Sequence, residues 1–384
     1  MNCSTVRSMR GNIRQIALTM ALLGPLAMVP GCGGGDDGGG GGGGGNGSVG
    51  GGGGAASQFA YVANFDSNNV SMFGVDSGGA LSSLGVVPAG SHPHIISVDP
   101  NGRFVYVANS DSDFLSAYTI DRNSGGLTPI VSPSLVVGSQ TQAAAFDSQG
   151  RFLYVVNGLG SSLIRAYTVN NDGTLTAIGA PLSAGTHAHN LTVDPTNKFV
   201  FVASEGSDDT HWYTIQPNGG LTAGGSVPGS GGGADGVAAV GSFAYVANRG
   251  GLVQQFAVNQ TTGALAPLTP ATVSAGTTTH AITSDVPNHN FVYAANINSS
   301  NVSAYRIDKA TGLLTAVTGS PFPTGNSPEG IAASTNGSLY TTNFGTNNIT
   351  RFTINQSTGE LTQSQAFANA AGGAGPIAIG VTSF

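Results

Sequence analysis

One short pattern occurs seven times along the chain, and it constrains the fold more than any other feature. Each copy is an aromatic residue followed by two small or β-branched residues and, in six copies, an asparagine. The aromatic residues, 44 to 48 positions apart, are Tyr61, Tyr106, Tyr154, Phe201, Tyr245, Tyr293 and Tyr340. A repeat of this length, rich in β-forming residues, is typical of a β-propeller in which each repeat forms one four-stranded blade. The chain is therefore predicted to be an all-β, seven-bladed propeller.

Apolar alternation and turn signals divide each repeat into four antiparallel strands, which we name A to D from the propeller centre outwards. In the second repeat they are predicted at His94–Asp99, Phe104–Asn109, Leu115–Asp121 and Leu127–Val131. The 61 glycines and 18 prolines of the chain supply the many turns that such short strands need.

The two ends of the repeat region complement each other. The first repeat begins at Phe59 with a strand B, whereas the sequence finishes on GPIAIGVTSF, which aligns with a strand A. We therefore expect the last strand to complete the first blade, which would close the ring and remove open strand edges. The propeller is predicted to span residues 58–384.

The repeat also carries a resemblance to a known family. Segments such as PNGRFVYVAN, LSAYTID and GGLT in the second repeat resemble the YVTN-type repeats of the seven-bladed lactonase family, which includes 6-phosphogluconolactonase. The resemblance covers about residues 58–384 and implies the same propeller fold. It implies the reaction less directly, because propellers support many functions.

The N-terminal segment has the pattern of an export signal. Residues 1–31 contain Arg7, Arg10 and Arg14, followed by an apolar run from Ile16 to Val29 that is too short to span a membrane. The next residues, Val-Pro-Gly-Cys, resemble the lipobox of bacterial lipoproteins, which predicts lipidation of Cys32. A plain secretory signal with an incidental cysteine is the alternative. Either signal predicts export to the bacterial cell envelope, and the lipobox predicts a membrane anchor.

A glycine-rich segment separates this signal from the repeats. In residues 33–57, 17 of 25 residues are glycine, so residues 32–57 are predicted to be a flexible tether. The whole chain carries 12 basic and 19 acidic residues, a net charge of −7. Nucleic-acid binding needs clustered Lys and Arg, so we exclude a nucleic acid as partner. A small molecule or a protein remains, with membrane contact through the lipid alone.

Polar residues recur at one position of strand A. The D–A and B–C loops of a propeller share one face, and strand A is innermost, so these side chains are expected at the mouth of the channel on that face. In blades one to seven the position holds Ile377, His94, Gln142, His189, Asp235, His280 and Glu329. His92 and His187, two residues before His94 and His189, are expected to support them.

Three interpretations of this ring remain open. It could simply hydrate the channel, since any channel needs polar lining. It could form a small-molecule pocket or a lactonase centre. It could also hold a divalent cation through His and carboxylate ligands, although no spacing motif selects a metal, and no other cofactor is expected.

The family resemblance implies three catalytic candidates. A His-x-His before a strand A matches His187 to His189, and also His92 to His94. A Glu after strand B matches Glu205, and the Arg of an Asn-Arg pair matches Arg249. The resemblance implies that Glu205 assists proton transfer, that Arg249 holds an anionic group or oxyanion, and that His189 acts as base or polarising group.

Charge limits which lactone could bind. Arg249 is the only basic residue expected on the histidine face, against eight acids: Asp66, Asp111, Asp113, Glu205, Asp208, Asp209, Asp235 and Glu329. A phosphorylated lactone needs converging Lys and Arg, so this face argues against 6-phosphogluconolactonase activity. The sequence favours a ligand- or protein-binding module. A hydrolase of a non-phosphorylated lactone and a cation-binding propeller are the alternatives.

Overall fold

The computed structural model describes residues 58–132, 135–158 and 161–382, and within these ranges the chain is made of β-strands and turns. The predicted signal segment, Cys32 and the tether lie outside the described residues. Among the described residues there is no helix with the length and apolarity needed to span a membrane. The strands form seven antiparallel sheets of four positions each, which confirms the predicted seven-bladed propeller.

In chain order the strands are β1 (Gln58–Asn64), β2 (Asn69–Val75), β3 (Leu81–Pro88), β4 (Pro93–Val98), β5 (Phe104–Asn109), β6 (Leu115–Ile120), β7 (Leu127–Ile130), β8 (Thr141–Phe146), β9 (Phe152–Asn157), β10 (Ser161–Val169), β11 (Leu175–Thr186), β12 (Ala188–Val193), β13 (Phe199–Ser204), β14 (Asp209–Ile215), β15 (Leu221–Pro228), β16 (Ala234–Val240), β17 (Phe243–Asn248), β18 (Leu252–Val258), β19 (Leu265–Ser274), β20 (Thr279–Ser284), β21 (Phe291–Asn296), β22 (Asn301–Ile307), β23 (Leu314–Ala316), β24 (Phe322–Pro323), β25 (Pro328–Ala333), β26 (Ser338–Asn343), β27 (Asn348–Ile354), β28 (Leu361–Ala368) and β29 (Pro376–Val381). Blade one is β29–β1–β2–β3, and each later blade takes the next strands in order as A to D. In blade six the outer position is shared by β23 and β24, which both pair with β22.

The predicted strands of the second blade agree with β4 to β7 to within one residue. One of these differences is at Asp99, which was predicted to end strand A and instead begins the turn. Its side-chain oxygen accepts a hydrogen bond from the Asn101 amide at 3.0 Å, and a second oxygen pairs with Arg103 at 2.6 Å. An aspartate that bonds the backbone two residues ahead forms a turn, and the strand therefore ends before it.

The ring closes as the sequence predicted. Strand β29 pairs antiparallel with β1, from Ala60 opposite Val381 to Asn64 opposite Pro376. The seven A strands also pack in a complete circle, each against the A strand of the next blade, with β25 and β4 flanking β29. Closure pairs the inner edge of β1, which would otherwise be an exposed template for aggregation.

The repeated tyrosine of strand B joins each blade to the next. Its hydroxyl donates a hydrogen bond to the carbonyl of a glycine in the C–D turn of the following blade, at 2.6–3.2 Å. The six pairs are Tyr61–Gly125, Tyr106–Gly173, Tyr154–Gly219, Tyr245–Gly312, Tyr293–Gly359 and Tyr340–Gly79. Blade four has Phe201 at this position and lacks the hydroxyl. The recurring aromatic residue is thus an interblade tie.

Candidate functional site

A β-bulge recurs at the same point of strand A in all seven blades. The A–B register skips the position that the sequence comparison aligned, which in blades two to seven is held by His94, Gln142, His189, Asp235, His280 and Glu329, and in blade one by Ile377. A bulged residue leaves the regular ladder, which lets its side chain take a direction of its own. We call these seven positions the inner ring.

Each bulge follows a residue in the left-handed backbone region. Two positions before the inner ring, φ lies between 52° and 97° in every blade, with His92 at 52° and His187 at 53°. The carbonyl of this residue accepts a hydrogen bond from the amide of the first residue after strand B. The donors, which are the first residues after strand B, are Phe65, Ser110, Gly158, Glu205, Arg249, Ile297 and Phe344. We call them the outer rim. The predicted Glu205 and Arg249 are thus neighbours on one rim.

Six of the seven inner-ring residues are buried, with His94, His189 and Asp235 each no more than 1% exposed, whereas Glu329 is partly exposed. Two of its histidines face the next blade in the same way. The Nδ1 of His94 lies 3.0 Å from the Gln142 carbonyl, and the Nδ1 of His280 lies 2.8 Å from the Glu329 carbonyl. Because a carbonyl only accepts, Nδ1 carries the proton in both contacts, and a neutral ring then keeps its lone pair on Nε2.

His189 contacts a side chain instead of a carbonyl. Its Nδ1 lies 2.5 Å from Oδ1 of Asp235, which is an ion-pair distance, yet the two groups are not aligned as a hydrogen bond. The rings of His94 and His280 pack edge-on against His189, with centroids 4.8 Å and 5.1 Å away. Two imidazoles, from blades four and six, therefore flank the Asp235 carboxylate, and the third, from blade two, packs on His189.

Asp235 is the centre of this network. Its Oδ2 accepts a hydrogen bond from Nε of Arg249, and its Oδ1 lies 3.7 Å from Nε2 of His280. Burial alone would raise the pKa of the Asp235 carboxyl, but the charges of Arg249, His189 and His280 outweigh it and hold that pKa well below its usual range. Asp235 is therefore an anion at neutral pH despite complete burial.

Partly exposed charged groups lie around this centre. Nη1 of Arg249 contacts Oε1 of Glu205 at 3.1 Å, and Nδ1 of His187 lies 3.6 Å from Oε2 of the same glutamate. Oε2 of Glu329 lies 3.6 Å from Nε2 of His280. The side chains of Arg249, Glu205, His187 and Glu329 are 11–24% exposed, whereas those of Asp235 and His189 are at 1%. Solvent thus reaches the network through Glu205, Arg249, His187 and Glu329.

The structure brings His189, Glu205 and Arg249 together through Asp235, and His187 joins them. His92 lies elsewhere: its Nδ1 is 2.5 Å from Asp111, and its ring stacks on Phe65 with centroids 4.3 Å apart. Gln142 contributes its carbonyl to His94, as described above.

One expectation about charge was wrong. Arg249 was expected to be the only basic residue on the histidine face, but Arg165 in strand C donates from its Nη1 to Oδ1 of Asn157 at 2.5 Å. Asn157 ends strand B and therefore lies beside the outer rim. The direction of a long side chain depends on strand register, which composition does not reveal. The face thus carries two arginines, each bonded to a neighbour.

Sequence reasoning also missed the apolar part of the outer rim. Phe65, Phe344 and Ile297 occupy the rim positions of blades one, seven and six, and each is partly exposed. Phe65 and Phe344 meet edge to face, with centroids 6.4 Å apart. The available signal was the residue directly after strand B, compared across all seven repeats. The outer rim is charged at blades four and five and apolar at blades six, seven and one.

Comparison with solved structures finds the same fold in proteins of low identity. A proposed 6-phosphogluconolactonase from Bacteroides fragilis is 22% identical, with a TM-score of 0.70 over 85% of this chain and 98% of the other. A second such protein, from Bacteroides uniformis, is 20% identical, with a TM-score of 0.73 over 85% and 99%. The periplasmic gluconolactonase of Pseudomonas aeruginosa is 19% identical, with a TM-score of 0.70 over 85% and 99%.

These identities establish the fold alone, and no curated protein matches the sequence. The family model described as lactonase, 7-bladed beta-propeller, matches residues 54–144, 138–224 and 225–326, which is more than half of the 384 residues. The sequence repeat, the closed ring of seven blades and this match agree. The chain belongs to the lactonase family of seven-bladed β-propellers.

Proposed function

We propose that the propeller is a binding module that takes a small, uncharged, hydroxyl-rich ring at the mouth of its channel. The observation that carries the proposal is the connected network of Glu205, Arg249, Asp235 and His189, which opens to solvent through partly exposed groups. Carboxylates accept hydrogen bonds from hydroxyl groups, and arginine and histidine donate to ring and carbonyl oxygens. A ligand site typically combines such a few convergent polar groups with apolar walls.

The charges favour a neutral ligand over a phosphorylated one. Arg249 is held between two carboxylates, so its charge is compensated before any ligand arrives. Glu329 adds a third carboxylate, 18% exposed, on the same face. A phosphate entering here would meet these anions and would have to displace Glu205 from Arg249. This agrees with the earlier argument against a phosphorylated lactone.

The apolar part of the outer rim suits the carbon face of a sugar-like ring. Phe65 and Phe344 are partly exposed and lie on blades next to one another. Aromatic rings bury apolar area at low entropic cost, since they have few rotatable bonds. The apolar rim residues therefore favour a ligand that carries C–H faces as well as hydroxyl groups.

Hydrolysis of a non-phosphorylated lactone is the second candidate, favoured by the contacts among His189, Asp235, Arg249 and Glu205. In that reaction a water oxygen adds to the lactone carbonyl carbon, and the bond from that carbon to the ring oxygen breaks. Glu205 or His189 accepts the proton of the water and returns it to the ring oxygen, which gives a hydroxy acid. Arg249 would donate to the oxyanion that forms on the carbonyl. Two solved neighbours are proposed 6-phosphogluconolactonases and another is a gluconolactonase.

Calorimetry with an aldonolactone and its 6-phosphate, beside an indicator assay for acid release, tests both candidates. We expect the neutral lactone to bind more tightly than the phosphate ester, and Glu205→Gln and Arg249→Ala to weaken it at least tenfold. Asp111→Asn is the matched control, because it removes a carboxylate that is 54% exposed and paired with His92. Binding without acid release would reject hydrolysis. If no neutral lactone or polyol binds, the proposal of a binding module for such ligands is rejected.

We also propose that the protein is exported and anchored through a lipid on Cys32. The support is the basic and apolar leader, the lipobox-like Val-Pro-Gly-Cys and the glycine-rich segment that follows it. Full-length protein expressed in a bacterial host should partition into detergent and incorporate labelled fatty acid, and Cys32→Ala should abolish both. Incorporation that persists in Cys32→Ala would contradict the proposal.

A further inference from the structure

Three potential metal ligands from consecutive blades converge within the inner ring. His189, Asp235 and His280 offer ligand atoms that all lie within 4.8 Å of one another, and all three residues are buried. We propose that these side chains bind one divalent transition-metal ion, with Zn²⁺ as the best fit. The proposal is independent of whether the outer rim binds a lactone.

The hydrogen bonding of His280 is typical of a metal ligand. Its Nδ1 donates to the Glu329 carbonyl at 2.8 Å, so the lone pair lies on Nε2. This Nε2 lies 3.7 Å from Oδ1 of Asp235 and 3.6 Å from Oε2 of Glu329. Metal-binding histidines usually donate their second ring N–H to a carbonyl or carboxylate, which fixes the ring and exposes the other nitrogen.

The other two ligands have buried atoms without a hydrogen-bond partner. Nε2 of His189 has no hydrogen-bond partner, and its Nδ1 contacts Oδ1 of Asp235 at 2.5 Å without the alignment of a hydrogen bond, although the residues are only 1% and 0% exposed. Buried polar groups are nearly always paired, so each such atom calls for an explanation. One cation between them would satisfy the Asp235 oxygen and one nitrogen of His189 together.

The distances suit zinc after a small adjustment. Zinc bonds of about 2.0–2.2 Å in a tetrahedral site place ligand atoms roughly 3.3–3.6 Å apart. The 3.7 Å between His280 and Asp235 is close to this value. The 2.5 Å contact between His189 and Asp235 would have to widen by about 1 Å, which rotation of the imidazole can supply. Glu329, 3.6 Å from the same nitrogen of His280, is available as a fourth ligand.

The donor set selects the class of metal. Two imidazole nitrogens with one or two carboxylates suit zinc and its transition-metal neighbours, whereas Mg²⁺ and Ca²⁺ prefer all-oxygen sites. Arg249 contacts the other oxygen of Asp235, but its charge is also shared with Glu205. Asp235 and Glu329 together leave the immediate surroundings of the proposed ion negative. With an ion bound, His189 would be a ligand and no longer a free base.

The direct test uses tag-free protein stripped with EDTA and then titrated with Co²⁺, whose visible absorption reports nitrogen and oxygen ligands in a tetrahedral or five-coordinate site. We expect a visible band that saturates at one ion per chain and is displaced by Zn²⁺. Zinc should also raise the Tm, because it binds only the folded chain. Absence of both the band and the Tm shift in the unmodified protein would overturn the proposal without reference to any variant.

Variants assign the ligands. Asp235→Asn and His280→Gln should each weaken Co²⁺ binding about a hundredfold or more. His94→Gln is the matched control, since His94 belongs to the inner ring and packs on His189 but is outside the proposed ligand set. It should keep the band and the affinity within about twofold. Should Asp235→Asn fail to fold, His280→Gln decides alone, and unchanged affinity in His280→Gln would overturn the assignment.

Discussion

Removing a single hydroxyl tests whether the interblade ties hold the ring together. In Tyr245 the hydroxyl donates to the Gly312 carbonyl over 2.8 Å, and both residues are buried. A net hydrogen bond contributes about 1 kcal/mol, and leaving the carbonyl buried without its donor raises the loss to about 1–3 kcal/mol. Tyr245→Phe should therefore destabilise the protein by about 2 kcal/mol.

The assay is urea unfolding followed by circular dichroism, together with calorimetry. A loss of about 2 kcal/mol corresponds to a fall in Tm of roughly 3 °C for a domain of roughly 325 residues. Tyr293→Phe should cost about the same, because its hydroxyl makes the equivalent bond to Gly359 at 3.0 Å. The m-value should be unchanged, since the surface exposed on unfolding is the same.

The reverse change, adding a hydroxyl, can be made in blade four. Blade four has Phe201, which is fully buried and has no hydroxyl to reach Gly263 in the next C–D turn. Phe201→Tyr should add the missing tie and stabilise the protein by up to about 1 kcal/mol. An unfolding midpoint in Tyr245→Phe that equals the midpoint of the unmodified protein would refute the reasoning. It would mean that the bond from the Tyr245 hydroxyl to the Gly312 carbonyl adds nothing to stability beyond what water offers the hydroxyl in the unfolded chain.

Three further results are expected. All ten tyrosines have a pKa raised by burial, to about 12 in Tyr118 and Tyr305, so the stability they confer is complete below pH 10 and is lost as pH rises beyond it. Tyrosinate absorbance should therefore appear together with unfolding in an alkaline titration; gradual ionisation of the folded protein would contradict this. Gly359→Ala should cost about 2–4 kcal/mol in urea, because φ is +80° there and a Cβ would lie 2.3 Å from the Phe291 ring. Asp235→Asn, measured in EDTA, should cost about 3 kcal/mol, since Arg249 loses a fully buried counter-ion; a midpoint within error of the unmodified protein would show that the pairing is not stabilising.

The propeller was predictable because its information is local and repeated. Each repeat supplies the same strand pattern, so an ambiguity in one blade is settled by the other six, and the complementary ends identified β29 as the partner of β1. Errors were confined to strand ends such as Asp99, where the side chain bonds the turn backbone. Such a bond depends on local geometry that alternation of apolar residues does not encode.

The candidate site was only partly predictable. Alignment of the repeats found the inner ring, because the bulge occurs at the same point in every blade. It did not find that Asp235 joins Arg249 to His189, since that contact spans two blades and depends on side-chain direction. The same limitation explains Arg165, whose guanidinium reaches the end of strand B. The repeats show which positions of each blade are equivalent, whereas contacts between side chains of different blades can be seen only in the three-dimensional structure.

Strand β29 also sets the order of events during synthesis. The ribosome makes β1 first, and its inner edge stays without a partner until β29 emerges about 310 residues later, which takes roughly 15–60 s at the usual rates of protein synthesis. During most of translation, nascent blade one therefore has at most three strands and an unpaired inner edge that can pair with other chains.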